Sequence, residues 1–394
     1  MTDRQFSLYI HVPFCSQKCP YCDFNTYATA QVPEREYVNA LKREIENYAS
    51  DPRFRERKIR SIFFGGGTPS LLSGEAIDTI LCSADDHFTI LPGAEITLEA
   101  NPNTTSMERV ARFRQVGVNR ISFGVQSFSS ARLSLLGRDH SAEEAEKAVY
   151  AAQEAGISNI SLDLICGVPG QSVKNLQEDL ERALKLPIAH ISTYALTIEP
   201  GTPFFQRQER GLLTMPSDDR VAEMLVYIPE FLEAQGFLRY EISNYARPGK
   251  ESIHNQSYWI GDDYLGIGAG AHSYYGEYDR GFLRSAERWS TLALPETYLR
   301  AAMSSSTISW RERVSMQSLK FEFFYLGLRM MRGVSKREYH ARFGESLEVL
   351  YGDVVNELTS EGFLEASSDM IRLTNSGLLV ADSVFERFIT PGVG

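Results

Sequence analysis

The chain lacks the long apolar stretches that membrane proteins carry. No run approaches the ~18 apolar residues of a membrane-spanning helix, and the start, Met1 to Gln5, contains no apolar core of a secretory signal. A basic excess is also missing, because the net charge is -11, which argues against a general nucleic-acid binder. These absences predict a cytoplasmic protein with no transmembrane segment and no nucleic-acid partner.

Cysteine is scarce, with five residues in 394. An odd number in a chain without a secretory signal argues against a disulfide framework. Cys82 falls in a helical pattern and Cys166 ends an apolar strand pattern, so we expect both to be buried small hydrophobes. The remaining Cys15, Cys19 and Cys22 are clustered, and this cluster is the most unusual feature of the sequence.

Strand patterns alternate with amphipathic helical patterns through roughly residues 8–245. Six such units, each about 30 residues long, indicate a parallel sheet with right-handed crossover connections. An open doubly wound sheet and a barrel both satisfy this alternation. Because six units exceed a dinucleotide-binding half and fall short of a full barrel, we predict an α/β fold with a partial (β/α)6 barrel.

The character of the sequence changes after Ala246. Residues 246–306 are rich in Tyr, Gly and Ser and only weakly periodic, and we place a linker near Ser304-Ser305-Ser306. Helical patterns follow, then two short strand candidates, Phe363–Ala366 and Met370–Leu373, and a last helix. The chain is therefore predicted to have a core at 1–245, a connecting segment at 246–306 and a C-terminal α+β, winged-helix-like domain at 307–394.

The cysteine cluster follows the strand pattern Leu8–Val12, so it lies on a loop at the ligand-binding end of a parallel sheet. Zinc usually takes two separated cysteine pairs, and no second pair exists; His11 is a conceivable fourth ligand, but its strand position favours a structural role. Iron–sulfur clusters normally take four thiolates, so three would leave one iron open. Three neighbouring thiols without a metal would be prone to oxidation, and we predict a metal or cluster site.

A glycine run, Gly65-Gly66-Gly67-Thr68-Pro69, follows the strand pattern Ile59–Phe64. It has neither the Lys-Ser/Thr of a P-loop nor the spacing of a dinucleotide fingerprint. Glycines let a ligand approach the backbone closely, and free N–H and C=O groups there can hold the amine or carboxylate of an amino acid. A plain tight turn is the alternative interpretation.

Together, C-x3-C-x2-C, the aromatic Tyr21 before the last cysteine and the Gly-Gly-Gly-Thr-Pro run resemble the radical S-adenosylmethionine (SAM) superfamily. The resemblance spans roughly residues 8–245 and implies a [4Fe-4S] cluster on Cys15, Cys19 and Cys22, with SAM chelated by the fourth iron. It also implies SAM-binding residues at successive strand ends. These are Tyr9 before the cluster loop, Tyr21 at the adenine, Gly66, Gly67 and Thr68 at the methionine end, Glu99 at the amine, Gln126 and Asp163 at the ribose, and Arg138 near the carboxylate.

Within the superfamily, the chain is similar to the group that contains oxygen-independent coproporphyrinogen III oxidase and the HemW-type heme chaperones. The oxidase pattern adds a fourth cysteine two residues after the third, where this chain has Phe24, and this puts decarboxylase activity in doubt. The run from His254 to Trp259 matches the H-N-x-x-Y-W element of the chaperones. The match implies heme binding by His254, Tyr258 and Trp259, since His is a common axial ligand and aromatic rings can flank a macrocycle. A packed loop is the alternative.

The resemblance thus implies a heme chaperone that transfers heme to an apo-hemoprotein such as a respiratory cytochrome. The cluster and SAM would regulate binding, oligomerisation or transfer. The implied partners are heme, the acceptor and an electron donor to the cluster, and a homodimer is left open. The enzyme alternative is oxygen-independent coproporphyrinogen III oxidation, in which a SAM-derived radical removes hydrogen from a propionate and CO2 leaves. Radical chemistry on an unrelated substrate is a third interpretation.

Overall fold

The computed structural model describes residues 5–304 and 306–389. The expectations for Met1 to Arg4, for Ser305 in the linker and for residues 390–394 lie outside the described residues. No helix in the described ranges is both long and apolar enough to cross a membrane.

The strands fall mainly into one large sheet and a small C-terminal one. They are β1 (Gln5–Val12), β2 (Phe14–Cys15), β3 (Tyr27–Ala28), β4 (Lys58–Gly66), β5 (Thr89–Ala100), β6 (Arg120–Gln126), β7 (Asn159–Cys166), β8 (His190–Ala195), β9 (Leu238–Glu241), β10 (Asn244–Ala246), β11 (Tyr264–Ile267), β12 (His272–Asp279), β13 (Phe282–Thr291), β14 (Ile308–Val314), β15 (Val334–Ser335), β16 (Leu364–Ala366) and β17 (Met370–Leu373).

The helices lie between these strands, and two short 3-10 turns cover Pro69–Leu71 and Pro102–Thr104. They are α1 (Glu34–Ala49), α2 (Gly74–His87), α3 (Met107–Gln115), α4 (Ser130–Leu135), α5 (Ala142–Glu154), α6 (Val173–Leu184), α7 (Pro203–Glu209), α8 (Asp218–Glu233), α9 (Ile253–Trp259), α10 (Pro295–Ser304), α11 (Met316–Gly327), α12 (Lys336–Phe343), α13 (Glu348–Ser360), α14 (Asn375–Leu379) and α15 (Ala381–Glu386).

The large sheet has the order β14-β13-β12-β11-β1-β4-β5-β6-β7-β8-β10-β9. Its centre, from β11 to β8, is parallel, and both flanks are antiparallel. The strands β1, β4, β5, β6, β7 and β8 each lead into a helix, so the predicted (β/α)6 arrangement is confirmed. Because β14 and β9 lie at opposite ends of the strand order, the barrel is partial. The carboxyl ends of the parallel strands consequently share one edge, where ligands bind in such folds.

Local sequence signals explain where several of the helices begin. Ser73, Ser106, Ser141 and Ser172 each accept a hydrogen bond from the backbone N–H three residues later. Such capping satisfies a donor that the first helical turn leaves unpaired. Ser73, for example, is the N-cap of α2.

An antiparallel hairpin of β9 and β10, separated by a turn, follows the parallel strands. Two local predictions need correction. Cys82 is exposed on α2 instead of buried, since it lies on the outer face of that helix, whereas Cys166 is buried as expected. The weakly periodic stretch after residue 246 contains α9 and four strands, and β11 to β14 continue the large sheet past residue 245.

A buried carboxylate fixes this continuation of the sheet. Glu44 on α1 accepts hydrogen bonds from the Gly268 N–H at 2.9 Å, the Tyr298 hydroxyl at 2.7 Å and the Thr307 hydroxyl at 2.7 Å. Burial raises the pKa of Glu44. These three partners come from the end of β11, from α10 and from the approach to β14, so one side chain ties the added strands to the barrel.

The C-terminal residues pack around a second apolar core, to which β12, β13 and β14 of the large sheet also contribute. Helices α11, α12 and α13 pack with the three-stranded sheet β15-β17-β16 around this core, which includes Phe324, Tyr351 and Phe388. Ser335 caps α12, and Gly344 ends it in a left-handed conformation with φ 79°. Helices followed by a small β-wing confirm the predicted winged-helix-like domain.

Candidate functional site

The candidate site is a cavity of about 380 Å³ at the carboxyl edge of the parallel strands. Most of the residues that the sequence assigned to the cluster and SAM line it together, although they are dispersed along the chain. They are Cys15, Cys19, Tyr21, Cys22, Gly66, Gly67, Thr68, Glu99, Gln126, Arg138 and Asp163. Tyr9 is not part of this lining; its hydroxyl lies 3.0 Å from Nδ1 of His11. Nor do His254, Tyr258 and Trp259 line this cavity, although their neighbour Asn255 does.

The cysteine loop opens towards this cavity. Cys15 ends β2, and the Cys22 N–H donates to the Cys19 carbonyl at 3.1 Å, which curls the loop between them. All three side chains are partly exposed. The guanidinium of Arg138 donates to Cys19 Sγ at 3.5 Å. The loop therefore presents three thiols to one space, and a cation stands beside one of them.

The three cysteine side chains are the type of donor that an iron–sulfur cluster takes. No three His, Cys, Asp or Glu side chains in residues 5–304 and 306–389 are arranged to bind one metal ion. A [4Fe-4S] cluster is wider than an ion and is held by separate thiolates. Burial raises the pKa of the Cys15 and Cys22 thiols, so loading a cluster there would release protons. The donor set is suited to a cluster and leaves room for a further ligand.

The glycine run is required by a close approach between strands. In β4, Gly66 has φ +111°, and a Cβ there would lie 2.4 Å from the His11 ring. A Cβ on Gly67 would lie 2.6 Å from the Phe14 carbonyl oxygen. Larger residues would push β4 away from the strand that leads into the cysteine loop. The run thus serves to seat that loop.

The expectation of free N–H groups in the glycine run is wrong. The Gly66 N–H donates to Glu99 Oε2 at 3.1 Å. The N–H groups of Gly67 and Thr68 donate to the carbonyls of Val12 and Phe14, both at 2.8 Å. These donors are already used within the fold, so a ligand would meet carbonyl, hydroxyl and carboxylate oxygens here.

Two inward-facing carboxylates give the cavity its electrostatic character. Burial and the nearby charge of Asp163 raise the pKa of Glu99 to about 7. Burial also raises the pKa of Asp163, although it accepts a hydrogen bond from the Ser122 hydroxyl at 3.1 Å. A positive charge nearby stabilises the ionised form of both carboxylates. The pair therefore favours a ligand that carries positive charge, as the sulfonium and amine of SAM do.

Arg138 and Gln126 complete the cavity on the side of β6. Arg138 donates to Asn101 Oδ1 at 2.6 Å and to the Gly124 carbonyl at 2.9 Å, and its buried Nε has no hydrogen-bond partner in the described part of the chain. Gln126 has φ 66°, which is unusual for a residue other than glycine. Strained backbone of this kind is typical of functional sites.

His254 lies behind this cavity, on α9, and is fully buried. Its Nδ1 lies 2.9 Å from the Ser61 hydroxyl, and its Nε2 lies 2.9 Å from the Tyr258 hydroxyl. The ring stacks on Phe63 with 5.0 Å between centroids. Burial lowers the pKa of His254 to about 3. Both ring nitrogens are therefore engaged, and neither is open to a ligand in this conformation.

Helix α9 is capped at both ends by residues that the sequence reasoning missed. Glu95 on β5 accepts from the N–H groups of Ile253 and His254 at 3.1 and 3.0 Å, and buried Arg120 lies 4.0 Å from the same carboxylate. At the other end, Arg342 of α12 donates to the carbonyls of Ile260 and Gly261, just after the helix. These contacts join positions more than eighty residues apart, and no local pattern in the sequence signals them.

A second cavity, of about 540 Å³, lies on the other side of α9, against the C-terminal domain. Tyr258 and Trp259 line it, together with residues of β11 to β13, α11 and α12. The resemblance assigns these two aromatic residues to heme; they line this cavity and not the cavity at the cysteine loop. The H-N-x-x-Y-W element thus stands between two separate spaces.

Comparison with known proteins places these features in context. The Radical SAM superfamily profile matches residues 9–183, and the HemN C-terminal domain profile matches residues 316–380. The Heme chaperone HemW of Lactococcus lactis is 37% identical over 389 residues, covering 99% of this chain and 98% of the relative. That of Escherichia coli is 38% identical over 384 residues, covering 97% and 98%. Among solved structures, coproporphyrinogen III oxidase (HemN) from Escherichia coli matches with a TM-score of 0.81 at 23% identity, covering 98% of this chain and 91% of that one, a likeness in fold.

Proposed function

Since this chain belongs to the HemW family of the radical SAM superfamily, we propose that it is a cytoplasmic heme chaperone that binds heme and transfers it to an apo-hemoprotein. The observation that carries the proposal is the similarity over nearly the whole length to relatives named as heme chaperones. A second observation supports it: Phe24, at the position of the oxidase's fourth cysteine, is 65% exposed at the cavity.

Membership of the superfamily brings a [4Fe-4S] cluster and SAM as cofactors, and the lining of the first cavity suits both. Cys15, Cys19 and Cys22 would hold the cluster, and Glu99, Asp163 and Arg138 would orient SAM by charge. Tyr21, Gly66, Gly67, Thr68 and Gln126 would contact its remaining parts. A bound cluster supplies an open iron and an electron. This chain's own residues would enclose the ligand, and Glu99 and Asp163 would balance its positive charge.

Heme coordination by His254 is the part of the proposal that the geometry constrains most. Nε2 would become available only after the hydrogen bond to Tyr258 is given up, at 2.9 Å in this conformation. Hydrogen bonds of this kind contribute about 1 kcal/mol net, which axial ligation of iron can offset. We propose that Tyr258 turns away when heme binds.

Titration of hemin into the wild-type protein and His254→Ala tests this assignment. We expect the variant to lose the wild-type Soret spectrum and bind hemin at least about tenfold more weakly, because an axial bond is lost. His87→Ala is the matched control, since His87 is exposed at the end of α2. Equal affinity and identical spectra for the His254 variant would remove the ligand assignment.

Transfer is tested by mixing the heme-loaded protein with an apo-cytochrome and following the acceptor's absorbance. An electron donor to the cluster and a homodimer are further parts of the proposal, to be examined by anaerobic reduction and by sedimentation. Activity as a coproporphyrinogen III oxidase is the second candidate, favoured by the shared fold with HemN. Anaerobic conversion of coproporphyrinogen to protoporphyrinogen would contradict a role as a chaperone alone.

A further inference from the structure

We infer that the second cavity, between α9 and the C-terminal domain, is the site that holds the porphyrin macrocycle. This inference rests on the proposed heme chaperone function and specifies where the cargo lies. It assigns roles to residues of α11 and α12 and to Arg332, none of which the H-N-x-x-Y-W element includes.

The size and walls of the cavity suit a large flat conjugated ligand. Its volume of about 540 Å³ lies in the range of pockets for large organic ligands. Seven aromatic residues line it, and the side chains of Phe321, Phe323 and Leu326 remain only partly buried there. The Tyr258 and Tyr264 rings pack edge to face at 4.7 Å between centroids. Aromatic faces of this kind pack favourably on a macrocycle.

Cationic groups at the same cavity suit the carboxylates of a porphyrin. Arg332, which is 46% exposed, pairs with Glu338 at 3.1 Å, and Arg288 pairs with Glu322. Arg342 instead donates to the carbonyls of Ile260 and Gly261, at 2.9 and 2.6 Å. Arginine is well suited to planar recognition of carboxylates.

Two buried donors at this cavity lack acceptors. Nε1 of Trp259 and Nε of Arg342 have no hydrogen-bond partner within residues 5–304 and 306–389. Buried polar groups without partners are rare in folded proteins. Both donors belong to residues that line the cavity, and an anionic ligand there would supply the missing acceptors.

The position of Tyr258 links this cavity to His254. The Tyr258 ring lines the cavity while its hydroxyl meets His254 Nε2. The imidazole lies behind that ring, and it is Tyr258 that separates Nε2 from the cavity. A macrocycle in the cavity would therefore reach His254 once the tyrosine moves. The macrocycle site itself needs no iron.

Iron-free protoporphyrin IX is the probe that tests the inference, because its binding depends on the cavity and not on an axial ligand. Its affinity would be measured by porphyrin fluorescence with wild type and three variants. Leu326→Trp fills the cavity and should weaken binding by roughly tenfold or more. Arg332→Ala removes a cation and should weaken it about two- to fivefold. Arg337→Ala is the control, since Arg337 is 88% exposed, pairs with Asp369 and lies outside the lining.

The possible results distinguish a failure of the porphyrin-site inference from a failure of the proposed heme chaperone function. Weaker binding by Leu326→Trp and Arg332→Ala, with Arg337→Ala unchanged, supports the cavity. If both cavity variants bind protoporphyrin with wild-type affinity, the cavity is not the porphyrin site. Hemin binding and transfer by the wild-type protein would still support the chaperone function in that case. A wild-type protein that binds neither hemin nor protoporphyrin overturns both. If Leu326→Trp does not fold, the protoporphyrin affinities of Arg332→Ala and Arg337→Ala test the inference by themselves.

Discussion

Replacing Glu99 by glutamine should stabilise the cofactor-free protein at pH 8. Burial and the charge of Asp163 raise the pKa of Glu99 from 4.5 to about 7. The unfolded carboxyl loses its proton near pH 4.5 and the folded one near pH 7, so the folded state loses stability as the pH rises through this window. The total loss is about 3 kcal/mol, because a pKa difference of one is worth about 1.4 kcal/mol. Glutamine keeps the shape without this cost.

The assay is urea unfolding of wild type and Glu99→Gln at several pH values between 4.5 and 8. The difference in free energy of unfolding should grow from near zero at the acidic end to about 3 kcal/mol at pH 8. Glu108→Gln, at an exposed position on α3, should change stability by less than about 0.5 kcal/mol. An equally stable or less stable Glu99→Gln at pH 8 would refute the electrostatic reasoning. The same variant should bind SAM more weakly, because a charge that attracts the cation is lost.

Three further predictions concern the loop, the glycine run and α9. Cys19→Ala should abolish the iron–sulfur absorbance after reconstitution, whereas Cys82→Ala should retain it; a full cluster in the Cys19 variant would exclude that ligand. Gly66→Ala should lower the melting temperature clearly, because the added Cβ would collide with the His11 ring. Gly93→Ala is the control: its Cβ would meet nothing within 4 Å, so its positive φ should lower the free energy of unfolding by only about 1 kcal/mol. Equal melting temperatures for the two variants would argue against the close approach at Gly66. Glu95→Ala should lower the free energy of unfolding by about 3–5 kcal/mol, because buried Arg120 loses its counter-charge. A change below about 1 kcal/mol in urea unfolding would contradict this prediction.

The barrel could be predicted from the sequence because its signals are local. Strands of the parallel centre are rich in apolar residues, and the crossover helices α2, α3, α5 and α6 each begin at a capping serine. The cysteine loop and the strand-end residues follow from the same alternation, since carboxyl ends of parallel strands meet at one edge. The roles of those residues towards SAM and heme stay predictions.

What the sequence did not reveal depends on contacts between distant segments. Strands β11 to β14 have weak periodicity and are positioned by Glu44, more than two hundred residues away. The burial of His254 depends on Ser61 and Phe63 of β4, and nothing in the H-N-x-x-Y-W element indicates that both ring nitrogens are engaged. The occupied N–H groups of the glycine run likewise depend on distant acceptors, the Glu99 carboxylate and the carbonyls of Val12 and Phe14.

The placement of α9 has a thermodynamic consequence. Asn255 lines the first cavity, at the cysteine loop, and Trp259, one turn further along α9, lines the second cavity. An occupant of one cavity that displaced this short helix would therefore change the lining of the other. Coupling between two binding sites is reciprocal: whatever factor SAM imposes on porphyrin affinity, porphyrin imposes on SAM affinity. In a chaperone with this arrangement, the affinity for porphyrin would depend on whether SAM is bound.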